Sequence, residues 1–140
     1  NVAAASVAAH ECGHAIQHAQ AYAPLRMRSA LVPAVSFASN WVQWLLLIGI
    51  FTVETFPQIM LGGILLFAMT TLFSFITLPV EIDASRRATN WMSRAGIVSA
   101  SSYPMAVDAL RSAAYTYVIA ALSSLATLVY YLSIFMNRRD

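Results

Sequence analysis

The chain has 140 residues, of which 59% are hydrophobic and only 10% are charged. A typical soluble domain carries about 25% charged residues, so this composition argues against a domain surrounded by water and for one surrounded by lipid. The net charge of +2 gives no case for binding nucleic acid. Cys12 is the single cysteine, which excludes an intrachain disulfide.

The first predicted element is a helix over residues 1–22, because the sequence around positions 3–17 is rich in alanine. It contains the pattern H-E-x-x-H at residues 10–14. Side chains four residues apart lie on one helix face, so His10 and His14 can face one metal ion. Glu11 then lies beside the ion, where it can act as general base on a metal-bound water. Cys12 points to the opposite side, which favours a small packed residue over a ligand.

Three apolar stretches follow, at residues 31–51, 59–80 and 113–136. Each meets the requirement of about 20 apolar residues for a membrane-crossing helix. Between the second and third stretches, residues 81–96 predict a further helix that ends at Gly96. Another helix begins near Tyr103 and Pro104 and leads into the last span.

The arginines predict the orientation of these spans. Six of them fall on the same side as the H-E-x-x-H helix if the three spans are real: Arg26, Arg28, Arg86, Arg87, Arg94 and Arg111. Arg138 and Arg139 fall on the other side. Because loops rich in arginine and lysine remain in the cytoplasm, the motif is expected on the cytoplasmic side of the membrane.

A hydrolytic zinc site usually has three protein ligands, so one more is needed. His18 continues the same helix face, but it lies roughly 12 Å along the axis from His10, too far to share an ion on a straight helix. The remaining candidates for the third ligand are carboxylates on the same side of the membrane as the motif: Glu81, Asp83 and Asp108. Glu81 is favoured by its place at the end of the second span, although an acid at a helix N-terminus is also favoured by the helix dipole.

Asp83 and Asp108 have plainer explanations as partners of nearby arginines. Asp83 lies three and four residues before Arg86 and Arg87, and Asp108 lies three residues before Arg111. Pairs at these spacings face each other on a helix.

Residues 10–19 (HECGHAIQHA), 22–26 (YAPLR), 78–88 (LPVEIDASRRA) and 111–118 (RSAAYTYV) resemble the YugP-like membrane zinc metallopeptidases of bacteria. Members of that family have a further N-terminal span, so the resemblance implies that residues 1–140 form a membrane metallopeptidase domain lacking its N-terminal part. The sequence also begins inside a predicted helix at Asn1, which likewise predicts a missing N-terminal part.

Residues 81–88 are also similar to the E-x-E-A-D-x-x-A block of membrane gluzincins of the HtpX and CAAX prenyl endopeptidase type. This resemblance places Glu81 at the zinc-ligand position. Asp83 replaces the second glutamate of the block. Ser85 replaces the aspartate that supports a ligand histidine, so it can donate or accept a hydrogen bond there but supplies no charge.

The sequence therefore predicts an all-α integral membrane bundle, with the motif helix, three transmembrane helices and a connecting cytoplasmic helix. The predicted function is zinc-dependent endopeptidase activity in a bacterial plasma membrane, with Zn²⁺ held by His10, His14 and Glu81 and with Glu11 as general base. Its partners would be the lipid bilayer and a peptide or protein substrate, membrane proteins included, and no nucleic acid.

Two alternatives remain at this point. One is a site-two type intramembrane protease, in which Asp108 would be the third ligand. The other is a divalent-metal-binding or transport protein that uses His10, His14 and Glu81 without proteolysis.

Overall fold

The computed structural model describes residues 1–138, which form four helices: α1 (Val2–Ala19), α2 (Ala23–Thr52), α3 (Pro57–Arg94) and α4 (Tyr103–Met136). No strand occurs in this part of the chain. Helices α2, α3 and α4 are long and apolar enough to cross a membrane. The predicted all-α architecture with three membrane-length helices is confirmed. Arg139, used above for orientation, lies outside the described residues.

Helix α3 differs from the sequence-based expectation because it runs without a break through Pro79. The predicted span at 59–80 and the predicted helix at 81–96 are two parts of this one helix. Proline in a helix interior removes one hydrogen bond and costs about 3 kcal/mol or more. Membrane-spanning helices nevertheless tolerate proline, because surrounding groups satisfy the freed backbone carbonyl. Likewise, the helix beginning at Tyr103 continues as the third span in α4.

The contacts of the chain divide into two compact units. The first consists of Asn1–Ser29 and Ile76–Ile119, and therefore contains α1, the start of α2, the end of α3 and the start of α4. Its small apolar core contains Ala9, Ala88, Met92, Ala106 and Leu110. Three of these five side chains are alanines, which allows the helices of this unit to approach closely.

Helices α1 and α3 approach each other closely at Gly13. A Cβ added to Gly13 would overlap the backbone carbonyl oxygen of Ala84 and lie 3.1 Å from its Cα. Both residues are fully buried. Only glycine fits here, because the obstructing atoms are main-chain atoms that cannot rotate away.

A left-handed turn joins α1 to α2. Ala21 has φ +52°, and the N–H groups of Ala21 and Tyr22 donate to the carbonyls of His18 and Gln17 at 3.1 and 2.9 Å. This is a Schellman-type helix end. An alanine in this conformation costs about 1–2 kcal/mol, and the turn lets α2 begin at Ala23, earlier than the apolar stretch at 31.

The second unit consists of Ala30–Phe75 and the chain from Ala120 onward. Its core contains Leu46, Val53, Met60 and Ile64, with side chains of α4 packed against them. The hydroxyls of Thr71 and Ser124 lie 2.7 Å apart and join α3 to α4. A hydrogen bond of this kind satisfies polar groups that lipid cannot.

Many apolar side chains of the long helices point away from the protein. Phe37, Leu65 and Ile119, one on each long helix, are 62%, 61% and 63% exposed. Exposed apolar surface of this extent is costly in water and favourable in a hydrocarbon layer. The exposed surface therefore agrees with the apolar composition in indicating a membrane protein.

The contact at Gly13 gives a testable prediction. Gly13→Ala should lower the free energy of unfolding in detergent micelles by about 1–3 kcal/mol, because the new methyl overpacks the α1–α3 contact. Helix propensity alone would make the alanine variant about 1 kcal/mol more stable. A loss of stability would therefore come from the α1–α3 contact. Cys12→Ala, at an exposed neighbouring position, is the matched control. If the two variants are equally stable, the close packing of α1 on α3 is wrong.

Candidate metal centre

The two motif histidines lie on one face of α1, as their spacing predicted. The side chains of His10 and His14 are 17% and 18% exposed. Their Nε2 atoms are 3.1 Å apart, and the rings meet edge to face with centroids separated by 4.6 Å. Both imidazoles thus direct the same nitrogen toward one point.

Helix α3 brings a carboxylate to the same point. Glu81 is only 4% exposed, and its Oε2 lies 2.8 Å from His10 Nε2 and 3.4 Å from His14 Nε2. His10, His14 and Glu81 each offer one ligand atom, and these atoms all lie within 4.8 Å of one another. Among the described residues, this is the cluster of potential ligand side chains that could hold a metal ion.

The donor set and its spacing fit zinc. Zinc held by nitrogen and oxygen ligands has bonds of about 2.0–2.2 Å, which places neighbouring ligand atoms roughly 3.3–3.5 Å apart in a tetrahedral site. The observed 3.4 Å separation matches that value, while the contacts at 2.8 and 3.1 Å are at hydrogen-bond distance and would lengthen around an ion. Three ligands leave the fourth position of a tetrahedron for water or substrate.

Each histidine is oriented by a hydrogen bond on its other nitrogen. His10 Nδ1 lies 3.0 Å from the hydroxyl of Ser85, and His14 Nδ1 lies 2.9 Å from Oε1 of Gln17. In zinc proteins such bonds fix the ring orientation and the tautomer. Ser85 therefore lies where the resemblance placed a supporting residue for a histidine.

The amide of Gln17 determines the tautomer of His14. Gln17 is fully buried, and its Nε2 donates to the carbonyl of Val80 and to Oδ2 of Asp83, both at 2.8 Å. Because both of these partners only accept, the amide nitrogen must face them and its oxygen must face His14. His14 Nδ1 then carries the proton, which leaves the lone pair on Nε2 facing the centre.

A cation from α2 binds the other oxygen of the carboxylate. Arg28 Nη1 donates to Glu81 Oε1 at 2.6 Å. The charge-assisted bond fixes the rotation of the carboxylate, so that Oε2 faces the histidines. Asp83 is held similarly by Arg87 at 2.6 Å, one of the two partners expected for it.

The remaining candidates lie apart from the three ligands. Glu11 is exposed and forms no hydrogen bond or ion pair with another described residue. His18 and Asp108 are exposed and do not belong to the three-residue group. Cys12, expected to be packed, is exposed instead.

Sequence reasoning missed two residues of this network. Gln17 could have been found, since it lies three residues after His14 and so on the same helix face. Arg28 gives no such signal. It reaches Glu81 only because the left-handed residue Ala21 turns the chain between α1 and α2.

Residues 1–136 match the family described as "Putative neutral zinc metallopeptidase". The chain belongs to this family. It is also similar to "Putative membrane protease YugP" of Bacillus subtilis (strain 168), with 41% identity over 140 residues that cover 100% of this chain and 61% of the relative. The chain thus spans less than two thirds of that relative's length. No solved structure is significantly similar to it.

Family membership confirms several predictions at a coarse level. The resemblance to membrane zinc metallopeptidases is confirmed, and so is zinc as the cofactor of the family. The relative's description as a membrane protease agrees with the three membrane-length helices. The role of each residue in the centre stays a prediction.

The Gln17 network gives a testable prediction. Gln17→Leu keeps a similar volume but removes the acceptor for His14 Nδ1, so it should weaken zinc binding about 10- to 100-fold. The measurement is competition for zinc with a chromophoric chelator. Gln43→Leu is the matched control, since Gln43 is an exposed glutamine of the second unit and does not belong to the network around His14. Equal zinc affinities in the two variants would contradict a role for Gln17 in positioning His14.

Proposed function

We propose that this chain contains the catalytic centre of a membrane-embedded zinc endopeptidase, in which His10, His14 and Glu81 hold Zn²⁺. The observation that supports this most directly is the convergence of three ligand atoms from α1 and α3 at separations of 2.8–3.4 Å. Membership in a zinc metallopeptidase family supports the same assignment.

When bound, zinc lowers the pKa of a coordinated water to roughly 7 and polarises a peptide carbonyl. Glu11 is the general base in this proposal. It lies next to His10 and three residues before His14, so it flanks the ligand face of α1. Its carboxylate is free of competing partners among the described residues, as a base that must accept a proton requires.

The reaction is hydrolysis of one peptide bond. The oxygen of a water bonds to the carbonyl carbon, and Glu11 accepts the proton that this water loses. The bond between carbon and nitrogen then breaks, and Glu11 returns the proton to the leaving amine. One water is consumed, and a carboxylic acid and an amine are formed, so no other reactant is needed.

Arg28 contributes by keeping Glu81 in its ligand orientation. A buried carboxylate without a partner would be costly, and the 2.6 Å ion pair with Arg28 offsets part of that cost. The network of Gln17, Asp83 and Arg87 holds His14 in a similar way. These contacts therefore orient the proposed ligands toward one another.

The location that we propose is a bacterial plasma membrane with the centre on the cytoplasmic side. All six arginines that indicated this side belong to the first compact unit, which also contains the three ligands. Arg138 belongs to the second unit. The distribution follows the rule that arginine-rich segments remain in the cytoplasm.

A divalent-metal carrier is the rival function, and Glu11 separates the two. Glu11→Gln should retain about one zinc per chain, because Glu11 is not a ligand, and should lower the rate of peptide cleavage by about 10²- to 10⁴-fold. The measurements are zinc content by mass spectrometry and cleavage of a peptide mixture. In a metal carrier, Glu11→Gln would change the function of the protein little. Unchanged peptide cleavage in Glu11→Gln would contradict the proposed mechanism.

Asp108→Asn is the matched control, since Asp108 is another exposed carboxylate of the first unit. It should keep both zinc and cleavage. Loss of zinc in this variant would instead support the site-two type of centre, in which Asp108 is the third ligand.

A further inference from the structure

A cavity of about 120 Å³ borders the proposed ligands His10 and Glu81. The rest of its lining is mostly apolar and comes from α1, α3 and α4, with Val7, Ser85, Leu110, Ala113 and Ala114 among the lining residues. All of these residues belong to the first compact unit. Any group that enters this cavity lies directly beside the two ligands.

The size of the cavity restricts what it can hold. An apolar cavity of about 150 Å³ holds a benzene ring, so 120 Å³ suits an aliphatic side chain up to about the size of leucine. Ala113 and Ala114 create this space, because a longer side chain at either position would extend into it. The cavity is therefore of the size and polarity of a subsite for one aliphatic residue.

A second, more open cavity of about 330 Å³ adjoins the first, and the two share Ser85, Leu110 and Ala114 in their linings. Arg86 and Arg111 line this second cavity. Both are exposed, and neither forms an ion pair with another described residue. Two unpaired guanidinium groups beside an apolar cavity are suited to bind a carboxylate.

We propose that these two cavities form the substrate groove. The substrate is a peptide with an aliphatic side chain adjacent to the cleaved bond, and Arg86 and Arg111 bind a carboxylate further along the same peptide. This inference rests on the proposed function and adds the substrate class to it. The carboxylate is either an acidic side chain or the C-terminus of the peptide. The arginine cavity shares three lining residues with the cavity at His10 and Glu81, and this proximity to the proposed ligands favours a peptide over a lipid headgroup.

The test is a cleavage-site profile of the zinc-bound full chain with a mixture of peptides of known sequence, read by mass spectrometry. Wild type should prefer Val, Leu or Ile at one position beside the cleaved bond. Ala114→Leu fills the cavity and should reduce cleavage at those sites about 10- to 100-fold relative to sites with Gly or Ala. Ala8→Leu, at an exposed position of α1 outside both cavities, should leave the profile unchanged.

The arginines are tested in the same assay. Arg86→Gln and Arg111→Gln should each reduce the preference for peptides with a nearby carboxylate about tenfold, because a charge-assisted hydrogen bond is lost. Arg94→Gln is the control, being an exposed arginine of α3 outside both cavities. Peptides with an amidated C-terminus separate binding of the C-terminus from binding of an acidic side chain.

The outcomes separate this inference from the function on which it rests. Cleavage with no aliphatic preference, or with a preference that Ala114→Leu and Ala113→Val both leave intact, overturns the subsite while the peptidase stands. Zinc binding without any cleavage overturns both. An effect of the arginine variants that occurs only with phospholipid present, and not in detergent, assigns Arg86 and Arg111 to lipid headgroups and overturns the carboxylate site.

Discussion

The candidate centre depends on the close contact between the backbones of α1 and α3 at Gly13 and Ala84. Gly13 immediately precedes His14, and Ala84 immediately precedes Ser85 and follows Glu81 by three residues. Because glycine lets the two helices approach at this point, His10 and His14 on one helix come within hydrogen-bond distance of Glu81 and Ser85 on the other. A larger residue inside the motif would separate the ligands from each other.

The same approach buries a carboxylate, and its charge must be offset. Glu81 is 4% exposed, and removal of an ionised group from water costs several kcal/mol unless it is paired. Arg28 binds one oxygen, and the two histidines face the other. The centre thus joins three helices through one side chain: α1 by its histidines, α2 by Arg28 and α3 by Glu81 itself.

Much of this arrangement could be predicted from the sequence, because it depends on helical periodicity. The four-residue spacing predicts that His10 and His14 share a face, and the apolar stretches predict three membrane-length helices. Glu81 followed from the small number of carboxylates together with the family resemblance. The continuity of α3 through Pro79 could not be predicted, since proline ends some helices and is accommodated in others.

The rest depends on contacts between segments distant in sequence. Arg28 reaches Glu81 through a left-handed turn at Ala21, where the sequence has no glycine to indicate it. The cavity beside His10 exists because alanines of α4 pack beside α1 and α3, and no local pattern specifies that packing. Gln17 is intermediate, because its spacing from His14 can be read from the sequence but its hydrogen bonds to Val80 and Asp83 cannot.

X-ray absorption spectroscopy at the zinc edge of the zinc-bound full chain tests the proposed ligand set most directly. A centre of His10, His14 and Glu81 gives nitrogen and oxygen ligands at about 2.0–2.2 Å, with outer-shell scattering from two imidazole rings. A sulfur ligand at about 2.3 Å would contradict it, because it would place the single thiol, Cys12, on the metal. Scattering from three imidazoles would contradict it as well, since His18 would then replace Glu81.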